Sequence, residues 1–355
     1  MMDFNLTEDR RMLSDTLTRY LAEQYQIEHR NSVAYESPFH DPSKWTEMAE
    51  LGIFSALANE ADGGFGGAGP DIAVVFEALG NALNCEPALP LLMSSRLLSA
   101  ARQDQATLLE GTAHYAVAIA EPDAPYDLLD ITATANDDHR LSGRKTSVYG
   151  GNIADYFLVA AKAGDCLNLY QVQAADAEVI PYGLIDGGGA AEVLFDNTKA
   201  KLLIKNAQSA LEDALDAGII ALCSEAVGMM DVTYQITVNY LKQRKQFGRP
   251  IGSFQVLQHR AVDMLTEIEQ SRSITIKAAS ELKGPNASRY ASMAKNMIGR
   301  SARLIAEEAI QMHGGIAMTW EYAISHYAKR LIMIDHQLGD TDFHLNRVIG
   351  MLNTA

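Results

Sequence analysis

The chain has 355 residues, 48% of them hydrophobic, which is enough for about two to three domains with sizeable cores, and its composition does not suggest disorder. A net charge of −16 argues against a nucleic-acid partner, whose phosphates need clustered Lys and Arg, although a local basic patch can hold an anionic ligand at close range. Cys85, Cys166 and Cys223 have neither metal-ligand nor CxxC spacing, so no metal site is expected and a reducing, cytoplasmic setting is. The N-terminus is charged from its third residue, unlike a signal peptide, and no apolar run approaches the roughly 18 residues of a membrane span.

Residues 1–111 read as helical. Leu6-Thr7-Glu8-Asp9 predicts a helix start, with Met12, Leu13, Leu17, Tyr20 and Leu21 following at helical spacing. Asp62 to Pro70 holds Gly63, Gly64, Gly66, Gly67 and Gly69, too much glycine for a helix, and reads as a loop. Helical spacing resumes at Val74, Val75, Leu79 and Leu83. Residues 112–205 change to a period near two, which predicts a small, mostly antiparallel sheet. Its strand candidates are Tyr115–Ala120, Asp130–Ala135, His139–Gly143, Tyr156–Ala160, Leu167–Val172 and Glu192–Phe195. Residues 206–355 return to long helices. One runs through Ile219, Leu222, Cys223, Ala226, Val227, Met230, Tyr234, Val238 and Leu241, and would be roughly 40 Å long. Two more are expected from Phe254 to Leu282 and from about Asn286 to Met312, giving a bundle. The fold class is therefore α+β, mostly α.

Two stretches carry candidate chemistry. Arg244-Lys245-Gln246-Phe247-Gly248-Arg249-Pro250 runs on to Phe254 and Gln255 between two long helices. Arg can fork onto a pyrophosphate, a glycine lets backbone approach it, Phe can lie against a ring system and Gln can bond a sugar or base edge. The same residues also suit a basic helix C-terminus followed by an interhelical turn. Gln311-Met312-His313-Gly314-Gly315 closes the next long helix. It is either a helix stop or a place where backbone approaches a dinucleotide.

Together the two stretches resemble the Arg-x-x-Phe-Gly…Gln and Gln-x-x-Gly-Gly signatures of the acyl-CoA dehydrogenase family. The resemblance covers nearly the whole chain. Trp45 to Phe54 followed by Gly63-Gly64-Phe65-Gly66 is similar to the family's N-terminal helical region. Leu141 to Lys145 and Ala154-Asp155-Tyr156 are similar to its middle sheet domain. The resemblance implies an N-terminal helical domain at 1–111, a middle β domain at 112–205 and a C-terminal four-helix bundle at 206–355. It implies FAD as cofactor, an acyl-CoA thioester dehydrogenated between its α and β carbons, and an electron-transfer flavoprotein as acceptor. Arg244, Phe247, Gln255, Gln311, Gly314 and Gly315 would hold the ADP half of a flavin bound mainly by the neighbouring subunit.

The departures from the family pattern are as specific. The usual catalytic Glu is expected 23 residues beyond Gly315, where this chain has Leu338, followed by Gly339-Asp340. The alternative base position, 26 residues before Arg244, is Gly218. Neither side chain can take a proton, and a missing general base costs roughly 10²–10⁴-fold in rate. The family's Thr-Glu-Pro-x-x-Gly-Ser-Asp stretch, whose Thr and Ser bind flavin and substrate, corresponds to Ala120-Glu121-Pro122-Asp123-Ala124-Pro125-Tyr126-Asp127. Its Trp-Ile-Thr or Trp-Ile-Ser strand over the flavin corresponds to Ser147-Val148-Tyr149. Ala120 stands where the family has its Thr and the bulkier Tyr126 where it has its Ser, so the small hydroxyl donors at those two positions are gone.

Three readings follow. The first is the base-lacking subunit of a heterotetramer, its partner a second acyl-CoA dehydrogenase subunit, as in members acting on steroid-CoA side chains. The second is a self-sufficient homo-oligomer with a displaced base at Asp340 or His344; against it, Asp340 suits a helix N-cap and His344 a packed core position. The third is a non-enzymatic structural or CoA-binding relative. Glu225, on the first long helix, is expected to make an interhelix contact.

Overall fold

The computed structural model describes residues 6–353. Contacts divide the chain into two compact units: Met1–Glu28, Ile72–Asn84 and Ile219–Ala355 form one, and His29–Asp71 with Cys85–Gly218 form the other. The N-terminal helical stretch therefore contributes to both.

In chain order the N-terminal helices are α1 (Glu8–Gln24), α2 (Ile27–Val33), α3 (Pro42–Glu50), α4 (Gly69–Asn81), α5 (Ala88–Ala100) and α6 (Ala106–Leu109). The start expected at Leu6–Asp9 is a capped one: Thr7 is the N-cap of α1 and its hydroxyl accepts the Arg10 N–H, while Leu17 and Leu21 are buried. The glycine-rich loop ends earlier than its composition suggests, because Gly69 and Pro70 already belong to the first turn of α4. Proline is well placed there, since a first-turn N–H has no intrahelical partner.

The second unit carries an eight-stranded sheet built from β1 (Tyr115–Ala118), β2 (Thr134–Ala135), β3 (Arg140–Tyr149), β4 (Tyr156–Ala163), β5 (Cys166–Gln173), β6 (Glu178–Gly183), β7 (Gly189–Lys199) and β8 (Lys201–Ile204). Its order is β6-β7-β3-β2-β4-β5-β8, with β1 also on β4. Only the β1–β4 and β2–β4 pairings are parallel. The expected strand at Asp130–Ala135 shrinks to the two residues of β2, because Leu128–Asp130 form a 3-10 turn with Asp127 accepting the Leu129 N–H. Neither β6 nor β8 was anticipated. β6 is mostly exposed and contains Pro181, so it lacks the alternation that would have marked it.

The other unit is helical. Its long members are α7 (Gln208–Gln243), whose residues up to Gly218 belong to the sheet-bearing unit, α8 (Gln255–Ser280) and α9 (Ala287–His313), followed by α10 (Ala323–Asp335) and α11 (Thr341–Asn353). A short hairpin, β9 (Lys245–Gln246) with β10 (Arg249–Pro250), joins α7 to α8. At 36 residues α7 is about 54 Å long, about three turns beyond expectation at its N-terminal end and half a turn at its C-terminal end. α9 is the packing centre, touching α8, α10 and α11. Its buried face repeats at three-four spacing through Ala291, Ala294, Ile298, Ala302, Ile305, Ala306 and Ala309. α4 and α7 cross closely through two glycines. A Cβ on Gly80 would lie 2.1 Å from the Glu225 carbonyl oxygen, and one on Gly228 would lie 2.2 Å from that of Glu77. Arg272 of α8 bonds both Glu77 of α4 (2.5 Å) and Asp231 of α7. Glu225 of α7 forms a forked pair with Arg330 of α10 at 2.7 and 2.8 Å, the interhelix contact expected of it.

Candidate functional site

The Arg244–Pro250 stretch is a β-hairpin, not a plain interhelical turn. Arg249 pairs with Gln246 and Pro250 with Lys245, leaving Phe247 and Gly248 as the two loop residues. Both have positive φ, 55° and 79°, as a type I′ turn requires. That conformation is costly for a bulky residue, and it aims the Phe247 ring outward, 91% exposed. Burial contributes almost nothing to holding the ring there. Arg244 is exposed at the base of the hairpin, where the Ile251 N–H donates to its carbonyl at 2.8 Å. The Arg249 guanidinium covers the Phe254 ring at 4.2 Å. Gln255 is exposed as the first residue of α8, at the positive end of that helix dipole. With Lys242, Arg244, Lys245 and Arg249 close together, this is a local basic patch on an acidic chain.

The Gln311–Gly315 stretch ends α9. Gly314 takes φ 70° and ψ −150°, a conformation open to glycine, and its N–H donates to the Ile310 carbonyl. Gln311, Gly314 and Gly315 are all exposed. A Cβ added at Gly248, Gly314 or Gly315 would meet nothing within 4 Å. No packing neighbour among the described residues therefore requires glycine at these positions, and bare backbone is presented outward on two turns. Tyr240, one helical turn before Arg244, reaches His313: their rings lie 4.4 Å apart and the Tyr240 hydroxyl donates to the His313 carbonyl at 3.2 Å. The two stretches that the sequence analysis selected separately thus meet at one end of the bundle. Forked cations, a flat ring, amides and bare backbone form a donor set that suits a dinucleotide's pyrophosphate and ring systems.

The expected base position lies in the turn between α10 and α11. Leu338 has φ 55° and Gly339 φ 106°. Asp340 is the cap of α11, its carboxylate accepting the Phe343 N–H at 2.8 Å. His344 is fully buried, and its Nε2 donates to the Leu338 carbonyl at 3.0 Å. Burial, reinforced by the Lys295 charge, pulls the His344 pKa down to about 3, so the ring is neutral. Asp340 and His344 therefore both have structural work that competes with proton abstraction. Gly218, the alternative base position, is buried within α7.

Lys295, which the sequence analysis passed over, holds this turn from behind. Its ammonium donates to the Gly339 carbonyl at 2.6 Å and to the Asp335 carbonyl at 3.0 Å. Burial lowers its pKa to about 8, and it pushes the thiol of Cys223 up to about 12. A lysine among small and apolar residues on the inward face of α9, beside Ala291, Ala294 and Ile298, was the available signal.

In the middle sheet the Glu of the altered stretch is retained as a structural pin. Glu121 and Lys145 form a buried pair at 2.7 Å. Glu121 also accepts the Thr132 and Ala133 N–H groups at 2.8 and 3.0 Å. Burial pushes its pKa up, but the Lys145 charge and these hydrogen bonds outweigh it and leave the carboxyl below its usual value. Ser147 sits at φ 48° beside a register shift between Lys145 and Val148, so the strand is distorted where the family places its aromatic over the flavin. Among the described residues no group of three or more His, Cys, Asp or Glu could hold a metal, and no helix is long and apolar enough to cross a membrane.

Comparison with known families places this architecture. Residues 7–101 match the acyl-CoA dehydrogenase N-terminal domain and residues 208–350 match the acyl-CoA dehydrogenase C-terminal domain, together well over half the chain. The chain belongs to the acyl-CoA dehydrogenase family, whose members are oxidoreductases. Among curated relatives it is similar to the acyl-CoA dehydrogenase IpdE2 of Mycobacterium tuberculosis, 29% identical over 91% of each chain. Among solved structures it is similar to the Tcur3481-Tcur3483 steroid ACAD in its G363A variant, with TM-score 0.90 and 26% identity over 98% of each chain. The ChsE4-ChsE5 complex from Mycobacterium tuberculosis shares the fold, with TM-score 0.92 and 22% identity over all of both chains.

Proposed function

We propose that this chain is the base-lacking subunit of a heteromeric, FAD-dependent acyl-CoA dehydrogenase. In this reading Arg244, Phe247, Gln255, Gln311, Gly314 and Gly315 grip the ADP half of a flavin whose reactive ring lies with a partner subunit. The observation that carries the reading is the pairing of two facts. The nucleotide-facing turns are intact and open outward, whereas the base position is Leu338 in a turn whose nearby acid and imidazole are already engaged. When bound, FAD supplies the oxidant that takes the β hydride of an acyl-CoA as the α proton leaves. The chain's own contribution is to orient. Arg244 would fork onto the pyrophosphate, Phe247 would lie against a ring system, Gln255 and Gln311 would bond sugar or base edges, and Gly314-Gly315 would let backbone come close. The Tcur3481-Tcur3483 steroid ACAD supports a steroid-type thioester as substrate and a two-component assembly, with an electron-transfer flavoprotein as acceptor by family resemblance.

The test is purification of the chain alone and with a Glu-bearing family member. Alone it is expected to be colourless and inactive; co-expressed, the complex is expected to be yellow and to reduce its flavin with an acyl-CoA. A yellow, active preparation of the single chain would refute the division of labour.

A further inference from the structure

Both open turns are anchored to a single residue in the last turn of α7. The Tyr240 carbonyl accepts the Arg244 N–H at 2.8 Å, where the hairpin leaves the helix. Its hydroxyl donates to the carbonyl of His313, the last residue of α9 before Gly314. The two rings lie 4.4 Å apart at 32°, and Tyr322, beyond the Gly-Gly turn, closes the other side of His313 at 5.3 Å. His313 is buried. Its Nδ1 donates to the Ala309 carbonyl at 2.8 Å, and its Nε2 has no partner among the described residues. Burial holds its pKa below the usual value, so the ring is neutral and acts by stacking and shape.

We infer that Tyr240 and His313 are positioning residues, a strut that holds the Phe247-Gly248 hairpin and the Gly314-Gly315 turn in register so that one nucleotide can meet both. The inference rests on the preceding reading of those turns as a dinucleotide grip. Its physical basis is that the hairpin's own side chains make only surface contacts, Arg249 over the Phe254 ring and Phe247 edge-on to it at 6.1 Å, and that the Gly-Gly turn has no side chains to fix it. The hairpin has two residues per strand, all exposed, and an isolated hairpin is marginal in water. A Cβ added at any of the three glycines would meet nothing within 4 Å among the described residues, so no close packing fixes them. Placement must therefore come from the bases of the two turns, and Tyr240 is hydrogen-bonded to both.

Residue-resolved hydrogen exchange on the full chain tests the strut. The probes are the Gly314 N–H, bonded to Ile310, and the Ile251 N–H, bonded to Arg244. Tyr240→Phe keeps the stack and removes the hydroxyl, and is expected to speed exchange at Gly314 about tenfold, the weight of one net hydrogen bond. His313→Ala is expected to speed exchange at Ile251 as well, although the substitution lies on a different helix; His313→Phe, which restores a flat ring, is expected to slow Ile251 again. Acceleration at Gly314 with Ile251 unchanged in His313→Ala would mean the turns are independent, and the inference falls. If the alanine variant does not fold, Tyr240→Phe and His313→Phe decide by the same two amides. In parallel, ADP is titrated into wild type and His313→Phe and Tyr240→Phe. Slowed exchange at both probes in wild type, with about tenfold weaker binding in Tyr240→Phe, is the expected result. Unchanged ADP affinity alongside lost coupling overturns the positioning role. ADP without effect on either wild-type amide defeats the dinucleotide reading, and the exchange coupling still decides the strut.

Discussion

His344 offers a direct measure of whether the turn beside Leu338 can do acid–base work. Its ring is fully buried, its Nε2 is committed to the Leu338 carbonyl at 3.0 Å, and burial with the Lys295 charge brings its pKa to about 3. An unfolded histidine titrates near 6.5, so between pH 6.5 and 3 the unfolded chain binds a proton that the folded chain does not. The His344 contribution is thus complete above pH 6.5 and is lost as pH falls. At pH 5 the loss is about 2 kcal/mol, and at pH 6 about 1 kcal/mol. His344→Gln retains an amide donor toward Leu338 and removes the titration. The pH 7-to-5 drop in urea-unfolding free energy is expected to be smaller in the variant than in wild type by about 2 kcal/mol. Imidazole NMR of the wild type should show one ring, hydrogen-bonded at Nε2, still neutral at pH 5. A His344 ring that titrates near 6.5, with identical pH slopes for the two proteins, would refute the assignment and restore His344 as a candidate base.

Further outcomes follow from the other buried charges and from the hairpin. Lys295→Met leaves the Asp335 and Gly339 carbonyls without their shared donor and is expected to lower unfolding free energy by about 2–4 kcal/mol in urea titrations. Because the folded Lys295 pKa, about 8, lies below its ordinary value, the burial penalty is complete below pH 8 and is relieved as pH rises toward 10.5. Wild type should therefore gain stability relative to Lys295→Met over that interval. Glu121→Gln strands the Lys145 ammonium in the sheet and should cost about 3–5 kcal/mol, with much of the loss recovered in the Glu121→Gln, Lys145→Met double variant; equal loss in both would show that the pair is not the cause. Phe247→Ala removes an exposed ring and should leave the melting temperature within about a degree or two, while speeding FAD loss from the assembled complex measured by flavin fluorescence.

Much of the fold was legible because the signals were local. Thr7 before an apolar three-four repeat gave the start of α1, and the change to a period of two at residue 112 gave the sheet. The boundary of α4 was misplaced because glycine density outweighed a proline that suits a first helical turn. β6 and β8 were missed because their burial does not alternate, and sheet membership there is decided by β7 and β5 as neighbours. In the candidate site, residue identity revealed which stretches mattered but not their geometry. Nothing local in Arg244–Pro250 distinguishes a linker from a hairpin with Phe247 at positive φ. The carbonyls that Lys295 holds and the Tyr240–His313 contact were invisible for a different reason. Their partners lie 40 or more residues away, and only the helix packing brings them together.

If Leu338 stands at the base position, as proposed, this turn shows how a family fold can lose its chemistry and keep its shape. The turn from Leu338 to Asp340 is held by backbone acceptors and by groups outside it: Lys295 on the Asp335 and Gly339 carbonyls, His344 on the Leu338 carbonyl, and the Asp335 carboxylate on Thr341. None of these contacts uses the side chain at 338. Replacing a glutamate there with leucine therefore removes a proton acceptor without unfastening the turn. The turns proposed to face the nucleotide differ, because Gln255, Gln311 and the bare glycines are exposed and, among the described residues, Phe247 meets only the edge of Phe254 at 6.1 Å. A positive-φ phenylalanine, 91% exposed, costs stability and returns little to the isolated chain beyond its edge contact with Phe254. The strain is accounted for if a ligand completes the site, and an assembled complex that holds FAD equally well with Phe247→Ala would remove that account.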